Sequence, residues 1–362
     1  TASVQTVSFS PDGTRIVSGG YDKTAKVWNA QTGDILHDLK RHEGSVNCVA
    51  YSPDGTRIVT GSSDKTATVW DALTGTFLFE SKGHANDVLC VSFNPAATCI
   101  ITGSRDLTAK VWNAKSGTYL FDLKGHSEPV SGVAFSPDGT RIVTGSFDKT
   151  AKVWNANTGE LLRTVQSGGG NIVSFSPDGA RIISSGPNGD LRIWHADTDE
   201  RPLELTPYQI GALCATFSPD GTRIVTGGWY GTAKVFDAQT GTPWLELKGH
   251  PGDVKFVTFS LDGTRIGTVS GTANVWDAKT GTFLFDLKGH TFYVTSMAFS
   301  PDGTQIVTGS LDRLAKVWDA KTGAFVRNLA GHVAMVTSVS FSPAGKRIVT
   351  ACQDNTAMIW DA

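Results

Sequence analysis

The chain has 362 residues, a formal net charge of −2, 40 glycines and five cysteines. The nearly balanced charge gives no strong field to attract nucleic acid or an anionic membrane, so we expect neither as a partner. An odd number of cysteines without a CxxC pair argues against a disulfide framework or a zinc site. Reduced thiols are typical of intracellular proteins, and no apolar run is long enough to span a bilayer. The sequence therefore predicts a cytoplasmic protein with no metal or cofactor.

One block of sequence, FSPDG or a close variant, recurs nine times along the chain. Its copies begin at Phe9, Tyr51, Phe93, Phe135, Phe175, Phe217, Phe259, Phe299 and Phe341. A second aromatic residue follows each block at a matching place, at Trp28, Trp70, Trp112, Trp154, Trp194, Phe236, Trp276, Trp318 and Trp360. Consecutive members of this second series are 40 or 42 residues apart. A nearly constant period of this length indicates a repeat architecture.

The fourth repeat shows the elements that each copy encodes. We predict four short strands at 130–135, 141–144, 150–154 and 161–165, because these segments are rich in β-branched residues and turn residues separate them. A four-stranded antiparallel sheet with apolar residues on both faces needs a neighbour on each side. Similar sheets arranged radially supply these neighbours. The predicted fold class is therefore all-β, as a single β-propeller.

We place the whole chain, 1–362, in one domain of nine repeats. Their approximate bounds are 1–40, 41–82, 83–124, 125–166, 167–206, 207–248, 249–288, 289–330 and 331–362. The first repeat begins at its first strand, and the ninth ends just after its third. These ragged ends favour a chain cut from a longer protein or repeat array. The alternative is a ninth blade of three strands with an unpaired edge.

Repeats five to seven depart most from the pattern. The fifth has Ser167–Gly170 in place of a Gly-His pair, and because no GK[ST] motif follows, we interpret this glycine run as a flexible loop and not as a phosphate cradle. The sixth has Tyr208 where other repeats have histidine. The seventh lacks two residues at its second turn, 268–271. We expect these repeats to be the least stable part of the protein.

The recurring GH, FSPDG, TGSxD and KVWD or KVWN segments resemble the WD-repeat (Trp-Asp repeat) family, and the resemblance covers essentially the whole chain. It implies a β-propeller of four-stranded antiparallel blades, most simply nine blades with one from each repeat. The alternative is seven or eight blades, with the surplus repeats swapped with a second chain or disordered.

A histidine, a threonine, an aspartate and a tryptophan recur in register in five repeats. Imidazole, hydroxyl and carboxylate also make a catalytic triad, but an enzyme needs one such site and not five. The resemblance implies a structural network instead, in which indole, hydroxyl, imidazole and carboxylate are hydrogen-bonded in this order. The five sets are His42, Thr60, Asp64, Trp70; His84, Thr102, Asp106, Trp112; His126, Thr144, Asp148, Trp154; His290, Thr308, Asp312, Trp318; and His332, Thr350, Asp354, Trp360.

Two basic positions also recur. An arginine follows the first turn in seven repeats, and an aspartate three residues earlier in most of them predicts local neutralisation. A lysine stands two residues before the second aromatic position in several repeats. We expect its stem to lie beside the ring and its amine to stay in water. These lysines are Lys26, Lys110, Lys152, Lys234 and Lys316.

The variable positions of the repeats lie before the first strand and at the second turn. The resemblance implies that both loops project from one face of the propeller. Exposed aromatic residues, methionine and arginine are typical of a binding surface. The predicted binding residues are Tyr21, Arg105, Phe147, Tyr208, Trp229, Tyr230, Phe292, Tyr293, Leu311 and Met335. The alternative is drift among recently duplicated repeats, with these side chains merely capping the channel.

The function we predict is a non-enzymatic, monomeric scaffold that binds a protein or peptide, with no catalytic residue. The alternative is the sensor domain of a larger signalling protein, such as a kinase or a nucleotide-binding ATPase. An enzyme or a glycan-binding protein has little support, because no unique nucleophile, carboxylate pair or metal cluster stands out from the repeat.

Overall fold

The computed structural model of the protein describes residues 4–166, 173–185, 191–196, 198, 203–205, 212–354 and 356–362. In this part of the chain the regular secondary structure consists of β-strands alone, which form nine antiparallel sheets, one from each repeat. These sheets are the blades of a nine-bladed β-propeller, the fold class that the sequence predicts. The alternative of seven or eight blades is therefore wrong.

The strands fall at the same places in each repeat. Blades 1 to 3 contain β1 (Val4–Phe9), β2 (Arg15–Gly20), β3 (Thr24–Asn29), β4 (Ile35–Lys40), β5 (Val46–Tyr51), β6 (Arg57–Ser62), β7 (Thr66–Asp71), β8 (Phe77–Lys82), β9 (Val88–Phe93), β10 (Cys99–Ser104), β11 (Thr108–Asn113) and β12 (Tyr119–Lys124). Blades 4 to 6 contain β13 (Val130–Phe135), β14 (Arg141–Ser146), β15 (Thr150–Asn155), β16 (Leu161–Gln166), β17 (Val173–Phe175), β18 (Arg181–Ser185), β19 (Leu191–His195), β20 (Leu203–Glu204), β21 (Ala212–Phe217), β22 (Arg223–Gly228), β23 (Ala233–Asp237) and β24 (Pro243–Glu246). Blades 7 to 9 contain β25 (Phe256–Phe259), β26 (Arg265–Val269), β27 (Ala273–Asp277), β28 (Phe283–Asp286), β29 (Val294–Phe299), β30 (Gln305–Ser310), β31 (Ala315–Asp319), β32 (Phe325–Leu329), β33 (Val336–Phe341), β34 (Arg347–Cys352) and β35 (Ala357–Asp361).

Within each blade the strands pair in chain order. In blade 4, Val143 of β14 pairs with Ala134 of β13 on one side and with Val153 of β15 on the other. Blades 1 to 8 have four strands each, and blade 9 has three, β33 to β35, in the described part of the chain.

The chain divides into two compact units, Thr1–Pro187 with Trp194–Pro202 and Asn188–Ile193 with Leu203–Ala362. Blades 1 to 4 belong to the first unit, and blades 6 to 9 belong to the second. Whether 1–362 behaves as a single domain stays a prediction.

In both units the hydrophobic core lies between adjacent blades. In the first unit, Val111 of blade 3 packs with Ile142 and Trp154 of blade 4. In the second, Val275 of blade 7 belongs to the same cluster as Trp318 of blade 8. Each large apolar side chain that is fully buried in this way stabilises the fold by roughly 1.5–3 kcal/mol. Within each unit, adjacent blades thus bury the faces that they turn toward each other.

A glycine in the second strand lets neighbouring blades approach closely. A Cβ atom at Gly103 would lie 2.6 Å from Cys90 Sγ and 3.0 Å from Cγ1 of Val130 in the next blade. Burial raises the pKa of Cys90 to about 12, so this thiol is a protonated packing group. Gly61 has the same relation to Cys48 Sγ, at 2.6 Å. All five cysteines are free thiols.

Two of the arginines that follow the first turn also reach the next blade, which the sequence did not predict. Arg57 Nη1 donates to the carbonyl oxygen of Ala114 in blade 3 at 2.6 Å, and Arg223 Nη1 donates to that of Ala278 in blade 7 at 2.8 Å. The acceptor in each case is a turn carbonyl that follows the third strand and lies outside the β-ladder. Local neutralisation is seen at Arg141, which forms an ion pair of 3.9 Å with the carboxylate of Asp138 in its own turn.

Three of the five recurring lysines are buried, contrary to the expectation that their amines stay in water, while Lys26 and Lys234 are half-buried. Lys110, Lys152 and Lys316 are only 7–9% exposed. Lys110 Nζ lies 2.5 Å from a carboxylate oxygen of Asp122, and Lys152 Nζ donates to Thr164 Oγ1 at 2.9 Å. Each partner is the residue directly opposite on the fourth strand. A hydrogen bond across the strands therefore compensates for the loss of water around the amine.

We predict that Arg57→Ala lowers the free energy of unfolding by about 1.5–3 kcal/mol, because it removes a charged hydrogen bond between blades. The control is Arg105→Ala, since the Arg105 side chain is 57% exposed and lies 3.6 Å from Asp87. The control should cost less than about 1 kcal/mol. Denaturant unfolding measures both variants, and equal losses would contradict the role of Arg57 between blades.

Candidate functional site

Four side chains of blade 4 form a continuous chain of hydrogen bonds. Trp154 Nε1 donates to Thr144 Oγ1 at 2.9 Å. His126 Nε2 lies 2.8 Å from the same hydroxyl, and its Nδ1 lies 2.7 Å from Asp148 Oδ2. The carboxylate also accepts the backbone N–H of Ser127 at 3.0 Å. The network therefore ties the loop before the first strand to the second turn and the third strand.

The other four predicted sets, in blades 2, 3, 8 and 9, have the same arrangement. The distance from imidazole Nδ1 to the carboxylate is 2.7–3.0 Å. The distance from Nε2 to the threonine hydroxyl is 2.7–2.8 Å. The indole nitrogen lies 2.8–3.0 Å from that hydroxyl. The structure thus brings together every member of the five sets.

Burial of the hydroxyl groups argues against a nucleophilic role. The threonines of all five sets are 0% exposed. A hydroxyl that is enclosed and already accepts an indole N–H cannot approach a substrate. The arrangement is therefore best suited to holding the second turn in place.

The protonation states of the network follow from burial and hydrogen bonding. Burial lowers the pKa of His126, although the hydrogen bond and the charge of Asp148 oppose the shift. Burial raises the pKa of Asp148, but hydrogen bonds from Thr150, His126 and the Ser127 backbone outweigh it, so that pKa is lowered overall. At neutral pH the imidazole is then neutral and the carboxylate ionised. Since an ionised carboxylate only accepts, Nδ1 carries the ring proton and Nε2 accepts the hydroxyl proton.

Blade 6 places aromatic side chains where other blades have network residues. Tyr230 occupies the position of the network aspartate, and Phe236 replaces the tryptophan. Tyr230 is 78% exposed, and its φ of 56° lies in the left-handed region that bulky residues rarely adopt. Its backbone N–H donates to Asp253 Oδ1 of blade 7 at 3.1 Å. Trp229, the preceding residue, is also exposed.

Blade 7 keeps three members of the network and lacks the carboxylate. Trp276 Nε1 donates to Thr268 Oγ1 at 2.9 Å, and His250 Nε2 lies 2.8 Å from that hydroxyl. The turn that would carry the aspartate is two residues shorter than in blade 8. His250 Nδ1 and Ser270 Oγ are both buried and have no hydrogen-bond partner among the described residues.

Blade 8 shows what the shorter turn of blade 7 has lost. Ser310, the counterpart of Ser270, donates to the carbonyl oxygen of Phe292 at 3.1 Å and accepts the backbone N–H of Asp312 at 3.1 Å. Asp312 Oδ2 in turn lies 2.8 Å from His290 Nδ1. In blade 8 one aspartate therefore meets both the serine and the histidine.

Two adjoining cavities, of about 550 and 560 Å³, lie beside the short turn between blades 7 and 8. We call them together the blade 7–8 groove. Ser270, Gly271 and Tyr293 line both cavities. Phe292 lines the first, and Leu311 lines the second.

The predicted binding residues of the second unit fall into one connected group with one outlier. Trp229, Tyr230, Phe292 and Tyr293 are exposed, and we call these four residues the aromatic patch. Asp253, which accepts the Tyr230 N–H, lines the same cavity as Tyr293 and Leu311. Leu311 is half-buried, and its N–H donates to the Tyr293 carbonyl oxygen at 2.9 Å.

The remaining predicted binding residues are dispersed. Met335 is half-buried in blade 9, where its carbonyl oxygen accepts the N–H of Gln353. In the first unit Tyr21, Arg105 and Phe147 lie in the second turns of three different blades, and all are exposed. Tyr208 lies outside the described residues, as does the glycine run 168–170.

Sequence reasoning missed the part that Ser270 plays in the groove. The two-residue gap in repeat seven was the available signal. The gap does not reveal which groups lose their partners, because that depends on distances between the turn and the neighbouring loops.

One cluster in blade 9 has the residue types of a metal site. The ligand atoms of His332, Cys352 and Asp354 lie within 4.8 Å of one another. Cys352 stands where blade 4 has Ser146, and its Sγ accepts the Asp354 N–H at 3.4 Å. Because His332 Nδ1 and Asp354 Oδ2 already lie 3.0 Å apart in the network, we read this cluster as a network with a thiol in the serine position.

The fold and the buried networks define a class of protein, the β-propellers built from tryptophan-containing sequence repeats. The sequence matches the WD40 family (WD domain, G-beta repeat) at residues 1–29, 33–71, 75–113, 117–155, 160–195, 206–237, 241–277, 281–319 and 323–361. The chain therefore belongs to the WD40 family, as its motifs indicate. Propellers of this family are typically non-enzymatic scaffolds for protein interaction.

A crystal structure of the computationally designed Ika8 protein is similar to this chain, with a TM-score of 0.68 and 30% sequence identity, over 90% of this chain and 98% of that one. No protein with a curated function matches the chain. Within the described part of the chain there is no helix with the length and apolar character that a membrane crossing requires.

We predict that the network makes the protein labile in acid. A group whose pKa is lower in the folded state binds fewer protons there, so its stabilising contribution is lost as the pH falls. The loss begins below 6.5 for His126 and below 3.8 for Asp148, the ordinary pKa values of the two groups.

The variant Asp148→Asn should lower the free energy of unfolding by about 1–3 kcal/mol at neutral pH, because it leaves buried donors poorly paired. Its difference from the parent protein should shrink below a pH of about 4, where the parent aspartate also takes up a proton. Denaturant unfolding across a pH series measures both effects. A difference that stays constant down to acid pH would show that the carboxylate charge is unimportant.

A matched pair of serine variants tests the lost partners of blade 7. Ser310→Ala removes a hydroxyl with two partners and should lower the free energy of unfolding by about 1–2 kcal/mol. Ser270→Ala removes a buried hydroxyl without a partner, so it should be neutral or slightly stabilising. Thermal and denaturant unfolding compare the two, and a larger loss for Ser270→Ala would contradict the account.

Proposed function

We propose that this propeller is a scaffold that binds a protein or peptide through the aromatic patch on the second turns and adjoining loops of blades 6 to 8. The observation that carries the proposal is that exposed aromatic side chains lie beside incomplete networks. Trp229 and Tyr230 are exposed in blade 6, which lacks the network, and Phe292 and Tyr293 are exposed in blade 8 beside the short turn of blade 7.

Blade 6 lacks the stabilising hydrogen bonds of the network aspartate, and this loss supports a functional role for its second turn. In blade 4 the aspartate at this place has hydrogen bonds to an imidazole and to two N–H groups. Blade 6 has Tyr230 there instead, exposed and in a left-handed conformation. Real proteins tend to break a local stabilising rule where function requires it.

The composition of the patch suits a protein interface. Tryptophan and tyrosine are the residues most enriched among those that dominate binding energy, because they bury much area with few rotatable bonds. The groove beside Tyr293 offers a concave surface, and Asp253 and Lys255 provide a charged edge. A peptide could therefore place apolar side chains on the rings and polar groups at the edge.

The predicted residues outside the patch have a smaller part in the proposal. Leu311 supports Tyr293 from the neighbouring turn. Tyr21, Arg105, Phe147 and Met335 occupy corresponding loops of other blades and stay candidates for further contacts. Tyr208 also stays a candidate.

The test uses peptides selected from a random peptide library on the intact protein. We expect Trp229→Ala to weaken binding of a selected peptide by tenfold or more, because loss of a central aromatic residue costs roughly 2 kcal/mol or more. The variant should keep its free energy of unfolding within about 0.5 kcal/mol of the parent, since the ring is exposed. Isothermal titration calorimetry and denaturant unfolding give the two numbers.

The matched control is Trp244→Ala, because Trp244 lies in the fourth strand of the same blade and is 49% exposed, against 41% for Trp229. This control should leave peptide affinity nearly unchanged. Trp154→Ala, by contrast, should cost about 3–5 kcal/mol of stability. Peptides that respond to Trp244→Ala but not to Trp229→Ala would place the interface elsewhere and overturn the proposal.

A further inference from the structure

We propose that the network of blade 9 also binds a zinc ion, with His332 Nδ1, Cys352 Sγ and a carboxylate oxygen of Asp354 as its ligands. The ligand class is a divalent cation that accepts sulfur and nitrogen together with oxygen, and zinc is the common example. This inference does not rest on the proposed binding of a peptide, because the site uses no residue of the aromatic patch. The sequence predicts no metal site, since these ligands lie on two separate loops and form no CxxC motif.

Three different kinds of ligand converge in blade 9. In the described part of the chain this is the one group of three histidine, cysteine or acidic side chains whose ligand atoms lie within 4.8 Å of one another. His332 Nδ1 lies 3.0 Å from Asp354 Oδ2, and Cys352 Sγ accepts the backbone N–H of Asp354 at 3.4 Å. Ligand atoms around a tetrahedral zinc ion are roughly 3.4–3.6 Å apart, since the bonds to zinc are about 2.0–2.3 Å long. Small movements of these side chains therefore suffice to coordinate the ion.

The thiol distinguishes blade 9 from the four other complete networks. At the position of Cys352 those networks have Ser62, Ser104, Ser146 and Ser310. A divalent ion in a serine network would meet one carboxylate and would leave an excess positive charge in a buried place. In blade 9 the thiolate and the carboxylate together cancel the charge of the ion, while the bound imidazole is neutral. Because an uncompensated buried charge is costly, blade 9 is the complete network that suits the ion.

The rest of the network can orient a metal-bound histidine. When Nδ1 of His332 binds an ion, the ring proton resides on Nε2, which lies 2.7 Å from Thr350 Oγ1. This hydroxyl oxygen can accept both the Nε2–H and the indole N–H of Trp360, whose nitrogen lies 2.9 Å away. The hydroxyl proton can point to the carbonyl oxygen of Met358 at 3.4 Å. Each of these donors therefore keeps an acceptor in the tautomer that zinc requires.

Binding of the ion releases the proton of the thiol. Burial raises the pKa of the Cys352 thiol, and the carboxylate of Asp354 adds to that shift, so the thiol is protonated before the ion binds. Its proton passes to the solvent when the sulfur coordinates, and water completes the tetrahedron as the fourth ligand. The site lies close to the surface, because Val333 and Gln353, the sequence neighbours of two ligands, are both exposed.

The test titrates the intact protein, without an affinity tag, with Co²⁺ as a spectroscopic probe. One equivalent should give the near-ultraviolet absorption of a cobalt–thiolate bond and the visible bands of tetrahedral cobalt, and an excess of Zn²⁺ should remove both. Zn²⁺ alone should raise the melting temperature, because the site exists in the folded state. Binding of Co²⁺ without the thiolate absorption, or no binding, would overturn the inference.

The variant Cys352→Ser separates the metal site from the fold. Serine at this position is compatible with the same network in blade 4, so the metal-free variant should unfold at nearly the same denaturant concentration as the parent. It should lose the cobalt–thiolate absorption and the stabilisation by Zn²⁺. The matched control is Cys99→Ser, which removes a half-buried free thiol of blade 3 and should keep both effects. A thiolate absorption that disappears in the control and persists in Cys352→Ser would place the ion elsewhere.

Two further measurements report on coordination itself. Nitrogen-15 NMR of the His332 ring should show its proton on Nδ1 without metal and on Nε2 after one equivalent of Zn²⁺. Calorimetric titration in buffers of different ionisation enthalpy should give about one proton released for each ion bound, because one thiol is deprotonated. An unchanged His332 ring, or an ion that binds without releasing a proton, would contradict the assigned ligands.

Discussion

The structure depends on one constraint, that a blade of this protein cannot shield its own apolar faces. Each sheet has buried residues on both faces, and the core clusters lie between one blade and the next. Sequence repetition solves the problem, because every blade presents the same pair of complementary faces. The glycines of the second strands and the protonated thiols beside them allow the blades to approach closely. Hydrogen bonds from arginine side chains to carbonyl groups of the next blade stabilise this contact.

The buried networks add to the packing between blades and do not replace it. They hold the second turn of each blade to the loop before its first strand, at the edge of the sheet where the β-ladder ends. This position explains why the network can be incomplete in blades 6 and 7 without losing the strands, since β23 and β27 still form and pair with their neighbours. It also explains why the residues of the second turns differ from repeat to repeat, because those turns are the part of a blade whose sequence the core constrains least.

Much of the fold could be predicted from the sequence, since it follows from local signals that repeat. The period gave the blade count, and the strands predicted in repeat four differ from the observed ones by two residues or fewer, as at β14, which runs to Ser146. The five networks could be aligned by spacing alone. What could not be predicted depends on distances between blades. Arg57 reaches a carbonyl group 57 positions along the chain, and Lys110 is enclosed by its cross-strand partner.

In the candidate site, too, local features could be predicted from the sequence and contacts between loops could not. Exposure of Trp229, Tyr230, Phe292 and Tyr293 followed from their positions in the turns. Leu311 and Met335 are half-buried, because neighbouring loops pack over them to a degree that spacing does not reveal. Ser270 is an ordinary serine in the sequence and becomes notable only when its two usual partners are seen to be absent from the described residues around it.

The most direct test of this account is native-state hydrogen exchange measured for the third strand of each blade. We expect the amides of β15 and β31, in blades with complete networks, to exchange more slowly than those of β23 and β27, in blades with incomplete networks. All four strands should still be protected from exchange, because packing between blades buries them. Uniform exchange across the four strands would contradict the claim that stability was given up at blades 6 and 7. Exchange in β23 and β27 as fast as in an unfolded chain would contradict the claim that packing between blades carries the fold.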